Sequence, residues 1–324
     1  MSDGRKDRAM NVVVTGATSF IGAAVARQLL QAGHRVFAVV RPMSGNLQHL
    51  KEQIPKGSQE RIRILELDME EIAGIKEELP CPADVWFHAC WGGAGSENRT
   101  LRGVQQANVE GSLEAVRAAA ETGCRRFLFT GSQAEYGICH QLITEETPCH
   151  PVSEYGKAKI DFAIRAEKLC RTLKMDYVHA RIFSVYGPGD HPWSLVQSCL
   201  RTWRQGGEIK LGECTQWWNF LYIEDAAAAL ACLTEKGSPG CYNVAGRDTR
   251  RLREFVEEMH RLCKCQGSFF YGERPQNAEG LADLRPDITK IHRETGWEPK
   301  TPFAEGIYET LHCLPEDAPG KTSI

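Results

Sequence analysis

The stretch NVVVTGATSFIGAAVARQLLQAG, residues 11–33, decides how the rest of the chain is read. Val12 to Val14 after Asn11 form a β-branched apolar run too short for a helix, which predicts a buried strand. A small-residue turn follows at Thr15–Ser19. Phe20, Ile21, Ala24, Val25, Leu29 and Leu30 then recur at helical spacing until Gly33 stops the helix. Strand, glycine turn and helix make a phosphate cradle, because backbone N–H groups approach a pyrophosphate and the helix N-terminus adds partial positive charge. The glycine fingerprint is incomplete. Gly16 and Gly22 are present, but Ser19 stands where a middle glycine is expected, so this unit alone also fits an ordinary strand-to-helix corner. Serine keeps the backbone N–H and adds a hydroxyl that can donate to a phosphate.

Outward from that unit, strand and helix patterns alternate. Arg35–Val40 is a second strand, closed by Arg41 and, three residues on, Ser44. An acid at the end of this strand would accept from a ribose 2′-hydroxyl, whereas an arginine suits a 2′-phosphate, so Arg41 and Ser44 favour NADP over NAD. Arg61–Leu67 is a third strand, ending at Asp68, which can meet an adenine amino group or cap the helical segment Met69–Leu79. Asp84–His88 is a fourth strand running into Ala89-Cys90-Trp91. A long helix is expected over about Asn98–Thr122, with Asn108 inside it, then a fifth strand, Arg125–Thr130, a helix from Pro151, and a sixth strand, Asp176–Ile182. This alternation predicts an α/β, doubly wound parallel sheet of the Rossmann kind. From Phe183 the rhythm breaks into turn-rich sequence, short strands and helices, which predicts a smaller C-terminal substrate lobe. The expected division is 10–182 for cofactor binding, completed by parts of 220–265, and 183–315 mainly for substrate. Flexible tails are expected at 1–9 and 316–324.

Tyr155 and Lys159 sit four apart on one helix face. An ammonium beside a phenol favours the phenolate, so such a tyrosine can give or take a proton at a carbonyl or carbinol oxygen. Ser132 lies just past the carboxyl end of the fifth strand, where open α/β sheets bind ligands, and can hold the same oxygen. Trp91, Trp193, Trp217 and Trp218 fit either an aromatic lining or core packing. His88 reads as a satisfied core histidine, and His191 as an open candidate near the substrate lobe.

Several motifs in this order carry a resemblance. They are TGATSFIG at Thr15–Gly22, GSQAEYG at Gly131–Gly137, YGKAK at Tyr155–Lys159, RIFSVYGPG at Arg181–Gly189, NFLYIEDAA at Asn219–Ala227, YNVAG at Tyr242–Gly246 and a late GW-x-P at Gly296–Pro299. The chain resembles the extended short-chain dehydrogenase/reductases, in particular the NAD(P)-dependent sugar-nucleotide epimerase/dehydratase/reductase group, over roughly Asn11–Leu311. The resemblance implies Ser132, Tyr155 and Lys159 as the catalytic set. It implies cofactor contacts at Gly16, Thr18, Ser19, Phe20, Ile21, Gly22, Arg41, Ser44, Asp68, Met69, Ala89, Cys90, Asn108 and Lys159. A nucleotide-diphosphate sugar would meet Trp91, Gln133, Ser184, His191, Asn219 and Arg274. It also implies a homodimer through the helices near Asn98–Thr122 and Pro151–Leu173.

Departures from the group's pattern narrow the reaction. Its 4,6-dehydratases carry an Asp-Glu pair directly after the catalytic hydroxyl residue. Here Gln133 and Ala134 stand there, and neither shuttles a proton, while Glu135 lies one place further on. Ser184 replaces a frequent asparagine, and Trp217-Trp218-Asn219 replaces a basic stretch, leaving Arg274 as a candidate for the diphosphate. The expected reaction is NADP-dependent reduction of a 4-keto-6-deoxy nucleotide sugar, with a nucleotide-sugar epimerase as the alternative and a non-catalytic NADP-binding regulator as a distant third.

A net charge of −3 gives no basic footprint for nucleic acid or an anionic membrane, and no apolar run reaches bilayer length. MSDGRKDRAM lacks the apolar core of a signal peptide, so a cytoplasmic protein is expected. Thirteen cysteines then read as free thiols, mostly small buried hydrophobes. Cys263-Lys264-Cys265 is the one close pair and has no second ligand pair, so no metal is expected.

Overall fold

In the computed structural model, which describes residues 9–95, 98–264, 266–275, 280 and 282–314, the opening stretch forms strand β1 (Asn11–Thr15) and helix α1 (Phe20–Gln31). The chain continues through β2 (Arg35–Val40), α2 (Leu47–Gln53), β3 (Ile62–Glu66), α3 (Ile75–Glu78), β4 (Val85–His88), α4 (Arg102–Glu121), β5 (Arg126–Ser132), α5 (Glu154–Thr172) and β6 (Asp176–Ile182). The second half contributes β7 (Ser184–Tyr186), α6 (Leu195–Arg204), β8 (Glu208–Lys210), β9 (Trp217–Tyr222), α7 (Ile223–Lys236) and β10 (Gly240–Val244). It ends with β11 (Thr249–Arg251), α8 (Leu252–Leu262), β12 (Ser268–Phe270), α9 (Thr289–Thr295) and α10 (Phe303–His312).

Seven strands pair in the order β10-β6-β5-β4-β1-β2-β3, all parallel, which is the doubly wound Rossmann-like α/β fold. Side chains alternate across the sheet. Val12 and Val14 face one core layer with Ala24, Leu29, Ala227 and Leu230 from α1 and α7. Val13, Phe37, Trp86, Phe127 and Phe129 face the other, with Val109, Val116 and Phe162 from α4 and α5. Burial on both faces is why these strands read as continuous apolar runs. The second half of the chain adds a three-stranded sheet, β11-β9-β7, and a parallel pair, β12-β8. The seventh strand of the large sheet, β10, comes from this half of the chain.

Local chemistry shifts several boundaries. The second long helix of the α4/α5 pair begins at Glu154 rather than Pro151, because the Ser153 hydroxyl accepts from the Gly156 N–H and caps it there. Helix α4 begins at Arg102; residues 98–101 form a turn closed by the Leu101 N–H on the Asn98 carbonyl. The expected helix over Met69–Leu79 is a 3₁₀ turn at Met69–Gly74 followed by the short α3, with Gly74 at the break. Helix α2 carries one buried residue, Leu50, so its sequence shows no apolar stripe. Strands β7 and β11 are three residues each, too short for alternation to mark them. Of the expected tails at 1–9 and 316–324, all but Ala9 lies outside the described residues, as does Cys265. Among the described residues no helix is long and apolar enough to cross a membrane, and no three His, Cys, Asp or Glu side chains gather as a metal set.

Phe162 holds α5 on the sheet. It is fully buried, with its ring centroid 4.4 Å from that of Phe129 and further aromatic contacts to Phe127, His88 and Trp91. Phe162→Ala should lower unfolding stability by about 3 kcal/mol through lost burial and a residual cavity, read as a drop in the urea midpoint at unchanged slope.

Candidate active site

The carboxyl end of β5 is tied down by a reciprocal cap. Ser132 ends the strand and its Oγ accepts from the Ala134 N–H (3.2 Å), while Glu135 Oε1 accepts from the Ser132 N–H (2.8 Å). Glu135 is completely buried. It also meets His179 Nε2 at 3.0 Å and accepts from Arg181 Nε at 2.8 Å, both on β6. Burial alone would raise its carboxyl, but His179, Arg181 and the Ser132 N–H overcome burial and hold it down at about 2. Glu135 therefore points under the site and into the sheet, away from the face where a proton shuttle would stand.

Helix α5 brings Tyr155 and Lys159 to that same strand end. Gly156 allows the approach: a Cβ there would lie 2.5 Å from the Ala134 carbonyl oxygen, a contact only glycine avoids. One turn later, Lys159 Nζ donates to the Thr130 carbonyl at 2.9 Å. The two contacts fall on either side of Ser132 in the chain and set the Tyr155–Lys159 turn of α5 beside this strand end. Tyr155 is nearly buried, donates its backbone N–H to the Arg99 carbonyl (3.1 Å), and carries the Arg99 guanidinium 4.3 Å from its ring centre. Lys159 lies 5.5 Å from the Tyr155 ring centre, 3.9 Å from Trp91 and 4.4 Å from Phe129. Burial pushes its ammonium down to about 7.

The turn after β1 is shaped as a phosphate cradle. Gly16 has φ +71°, and a Cβ on it would meet the Ala89 carbonyl carbon at 2.7 Å and the Cys90 nitrogen at 2.8 Å. A Cβ on Gly22 would lie 2.2 Å from the Gly16 carbonyl oxygen. Ser19 caps α1 by accepting from the Gly22 N–H (3.0 Å), which leaves its hydroxyl proton able to donate. The N–H groups of Phe20 and Ile21, first in the helix, precede any intrahelical acceptor. Ser44 Oγ donates to Thr18 Oγ1 (3.2 Å), bringing the end of β2 and exposed Arg41 against this turn. Asp68 is exposed and makes no side-chain cap, which leaves its carboxylate facing outward beside half-buried Met69. Cys90 lies between these groups: burial raises its thiol, and Arg41, Lys159 and Asp68 all act on it electrostatically. Arg41, Asp68 and Lys159 thus all bear on Cys90, and the cradle, charges and small residues here fit a dinucleotide.

The remaining candidates divide. Asn108 spends its amide on Gly92, accepting from its N–H (2.9 Å) and donating to its carbonyl (2.8 Å), so it shapes the loop after β4. Trp91 is half-buried, with its ring at a right angle to that of Tyr155 at 6.4 Å. Gln133 is half-buried in the turn after Ser132, and Ser184 is half-buried at the start of β7. His191 is exposed and stacks on Trp193 at 4.5 Å. Two guanidinium groups lie over the Trp217 ring, Arg251 at 4.6 Å and Arg285 at 4.8 Å from its centre. Arg274 is exposed after β12, with its N–H on the Leu211 carbonyl. Asn219 is not brought to the cleft. It is completely buried, and its amide bonds Gly246, Asp248 and Thr249, pinning the turn before β11 instead of meeting substrate. His88 is the satisfied core residue expected, held between Thr15 Oγ1 (2.7 Å) and Ser112 Oγ (3.0 Å), with burial first and Lys159 second lowering it to about 3. Sequence reading did not find the partnership of Glu135 with His179 and Arg181, or Arg99 over Tyr155. The first had a signal: Ser132-x-x-Glu135 is the capping-box pattern.

Comparison with known proteins bears on this arrangement. A family model described as the NAD dependent epimerase/dehydratase family matches residues 12–245. The chain is 28% identical to a dTDP-D-glucose 4,6-dehydratase of Mus musculus over 63% of its own length and 59% of the mouse protein. It is 26% identical to a UDP-N-acetyl-alpha-D-glucosaminuronate decarboxylase of Bacillus cytotoxicus over 94% of this chain and 97% of the other. In structure it resembles a UDP-glucose 4-epimerase of Thermotoga maritima, with a TM-score of 0.81 at 23% identity, covering 94% of this chain and 98% of that one. These three similar proteins carry the names of three different reactions.

The Glu135 cluster yields a pH test. A carboxyl held below its unfolded value of 4.5 stabilises the fold above that value and loses the contribution as pH falls toward 2. Glu135→Gln should cost about 3 kcal/mol at neutral pH and flatten the acid side of the stability profile, as read by denaturant midpoints between pH 7 and pH 3.

Proposed function

The chain belongs to the NAD-dependent epimerase/dehydratase family, and from that premise we propose that it reduces a 4-keto-6-deoxy nucleotide sugar with NADPH. The observation that carries this reading is the composition of the strand end. Ser132 ends the strand, α5 sets Tyr155 and Lys159 beside it with Lys159 on the Thr130 carbonyl, Gln133 and Ala134 follow, and Glu135 is held by the Ser132 N–H. That set handles a proton at one oxygen. Among the described residues it is joined by no second acid and base to remove water from neighbouring carbons, which favours hydride chemistry at a single ketone.

The nicotinamide supplies the hydride when it is bound. In the proposed chemistry Ser132 Oγ donates to the ketone oxygen and orients it. Tyr155 gives its phenolic proton to that oxygen as charge develops there. The Lys159 ammonium favours the resulting phenolate and can hold a ribose hydroxyl. The turn from Gly16 to Gly22 would take the pyrophosphate, and Arg41 with Ser44 a 2′-phosphate, since a guanidinium matches phosphate and an acid is missing from that place. The sugar nucleotide would lie toward the C-terminal lobe, with Trp91, Gln133, Ser184, His191 and Arg274 around it. A homodimer would join exposed faces of α4 and α5, where Val104 and Ile164 leave apolar surface uncovered.

The test is incubation with NADPH and a panel of 4-keto-6-deoxy nucleotide sugars, with the product followed by NMR. One NADPH should be consumed per product formed. Turnover of a nucleotide sugar with no net change in reduced nicotinamide would instead assign epimerisation. Tyr155→Phe should lower kcat by roughly a hundredfold or more with little change in KM. Arg41→Glu should weaken NADPH binding relative to NADH by roughly ten- to a hundredfold, measured by titration of both cofactors.

A further inference from the structure

Lys159 is a buried ammonium with an unusual surrounding. Among the described residues it forms no ion pair with a carboxylate, and its one oxygen partner is the Thr130 carbonyl. Two aromatic rings also lie against it, with the Trp91 ring centre at 3.9 Å and the Phe129 ring centre at 4.4 Å. A cation over an aromatic face is attracted by the ring's quadrupole, most strongly by indole, and the attraction grows as water is removed.

The indole is held for this contact. Trp91 Nε1 donates to Gln105 Oε1 at 2.9 Å. Gln105 is itself buried, and its amide donates to the Gly93 and Asn98 carbonyls, each at 3.0 Å. The glutamine therefore clamps the loop after β4 and fixes the indole plane at once. Phe129 on β5 is packed in turn against Phe162, ring centres 4.4 Å apart. The indole edge also meets the Tyr155 ring, so one side chain touches both members of the Tyr155/Lys159 pair.

We propose that Trp91 is a positioning residue for Lys159: its indole face, anchored by Gln105, keeps the lysine ammonium charged and in place in a pocket that offers it a single oxygen. Other charges bear on Lys159 from every side of that pocket. Glu135 in the turn after β5 and Cys90 after β4 favour its charged form, Arg99 opposes it, His88 on β4 is itself held neutral by burial, and Tyr155 shares the helix. With burial already pushing the ammonium down to about 7, a modest loss of π contact moves the lysine across neutrality. The consequence for turnover rests on the role proposed for Lys159 above; the consequence for its titration does not.

The experiment labels the full chain with lysine carbon-13 at Cε, assigns the Lys159 signal with Lys159→Met, and follows its shift with pH. Trp91→Leu should lower the Lys159 midpoint by about half to one pH unit, while Trp91→Phe, which keeps an aromatic face, should stay within about a third of a unit of the parent. Gln105→Leu keeps the indole but removes its anchor, and should move the midpoint the same way by less. In turnover, the alkaline limb of kcat/KM should shift in the same order. The proposal is overturned if folded Trp91→Leu and Gln105→Leu both leave the midpoint in place, or if the Phe and Leu variants shift equally. A chain inactive on every sugar nucleotide would sink the functional reading and leave the titration to decide this one.

Discussion

The Glu135 carboxylate is shared by three parts of the structure: the backbone of Ser132 at the end of β5, and the His179 and Arg181 side chains of β6. A charge without water is tolerated only where hydrogen bonds and opposite charge replace hydration. Here that requirement fixes where β5 stops and how the following turn is wound. Because the turn is fixed, the Ala134 carbonyl stands where Gly156 can approach it, and helix α5 docks in one rotational setting. The positions of Tyr155 and Lys159 follow from that setting.

Local physics was enough to read the scaffold. Val12–Val14, Arg35–Val40 and Arg125–Thr130 declared themselves as strands because both sheet faces are buried, and Tyr155 and Lys159 declared a shared face through helical spacing. The doubly wound fold and the turn after β1 were legible for these reasons. What was not legible came from non-local partners. Asn219 looks like a polar residue in a motif, and nothing in its neighbours reveals that Gly246 and Thr249, far along the chain, consume its whole amide. Asn108 likewise gives its side chain to Gly92. Strand β11, only Thr249–Arg251, forms because β9 lies beside it, and its own sequence carries no strand pattern.

The aromatic residues show the same division in another way. Trp91 and Trp217 were both read as lining or core, and each turns out to serve as a partner for cations. Trp91 faces one ammonium; two guanidinium groups lie over Trp217. The choice between lining and core was incomplete, since a half-buried indole can organise charge without being either. The capping-box spacing at Ser132 and Glu135 is the opposite case, a local signal with a long-range consequence.

The seventh strand of the main sheet is supplied late. β10 pairs with β6 in parallel, yet 57 residues separate the end of β6 at Ile182 from its start at Gly240. During synthesis the first six strands emerge well before the one that covers the β6 edge. Until then β6 presents an open row of backbone donors and acceptors, the kind of edge that pairs with whatever strand is at hand. The chain between Ile182 and Gly240 must therefore be made before the large sheet can be sealed.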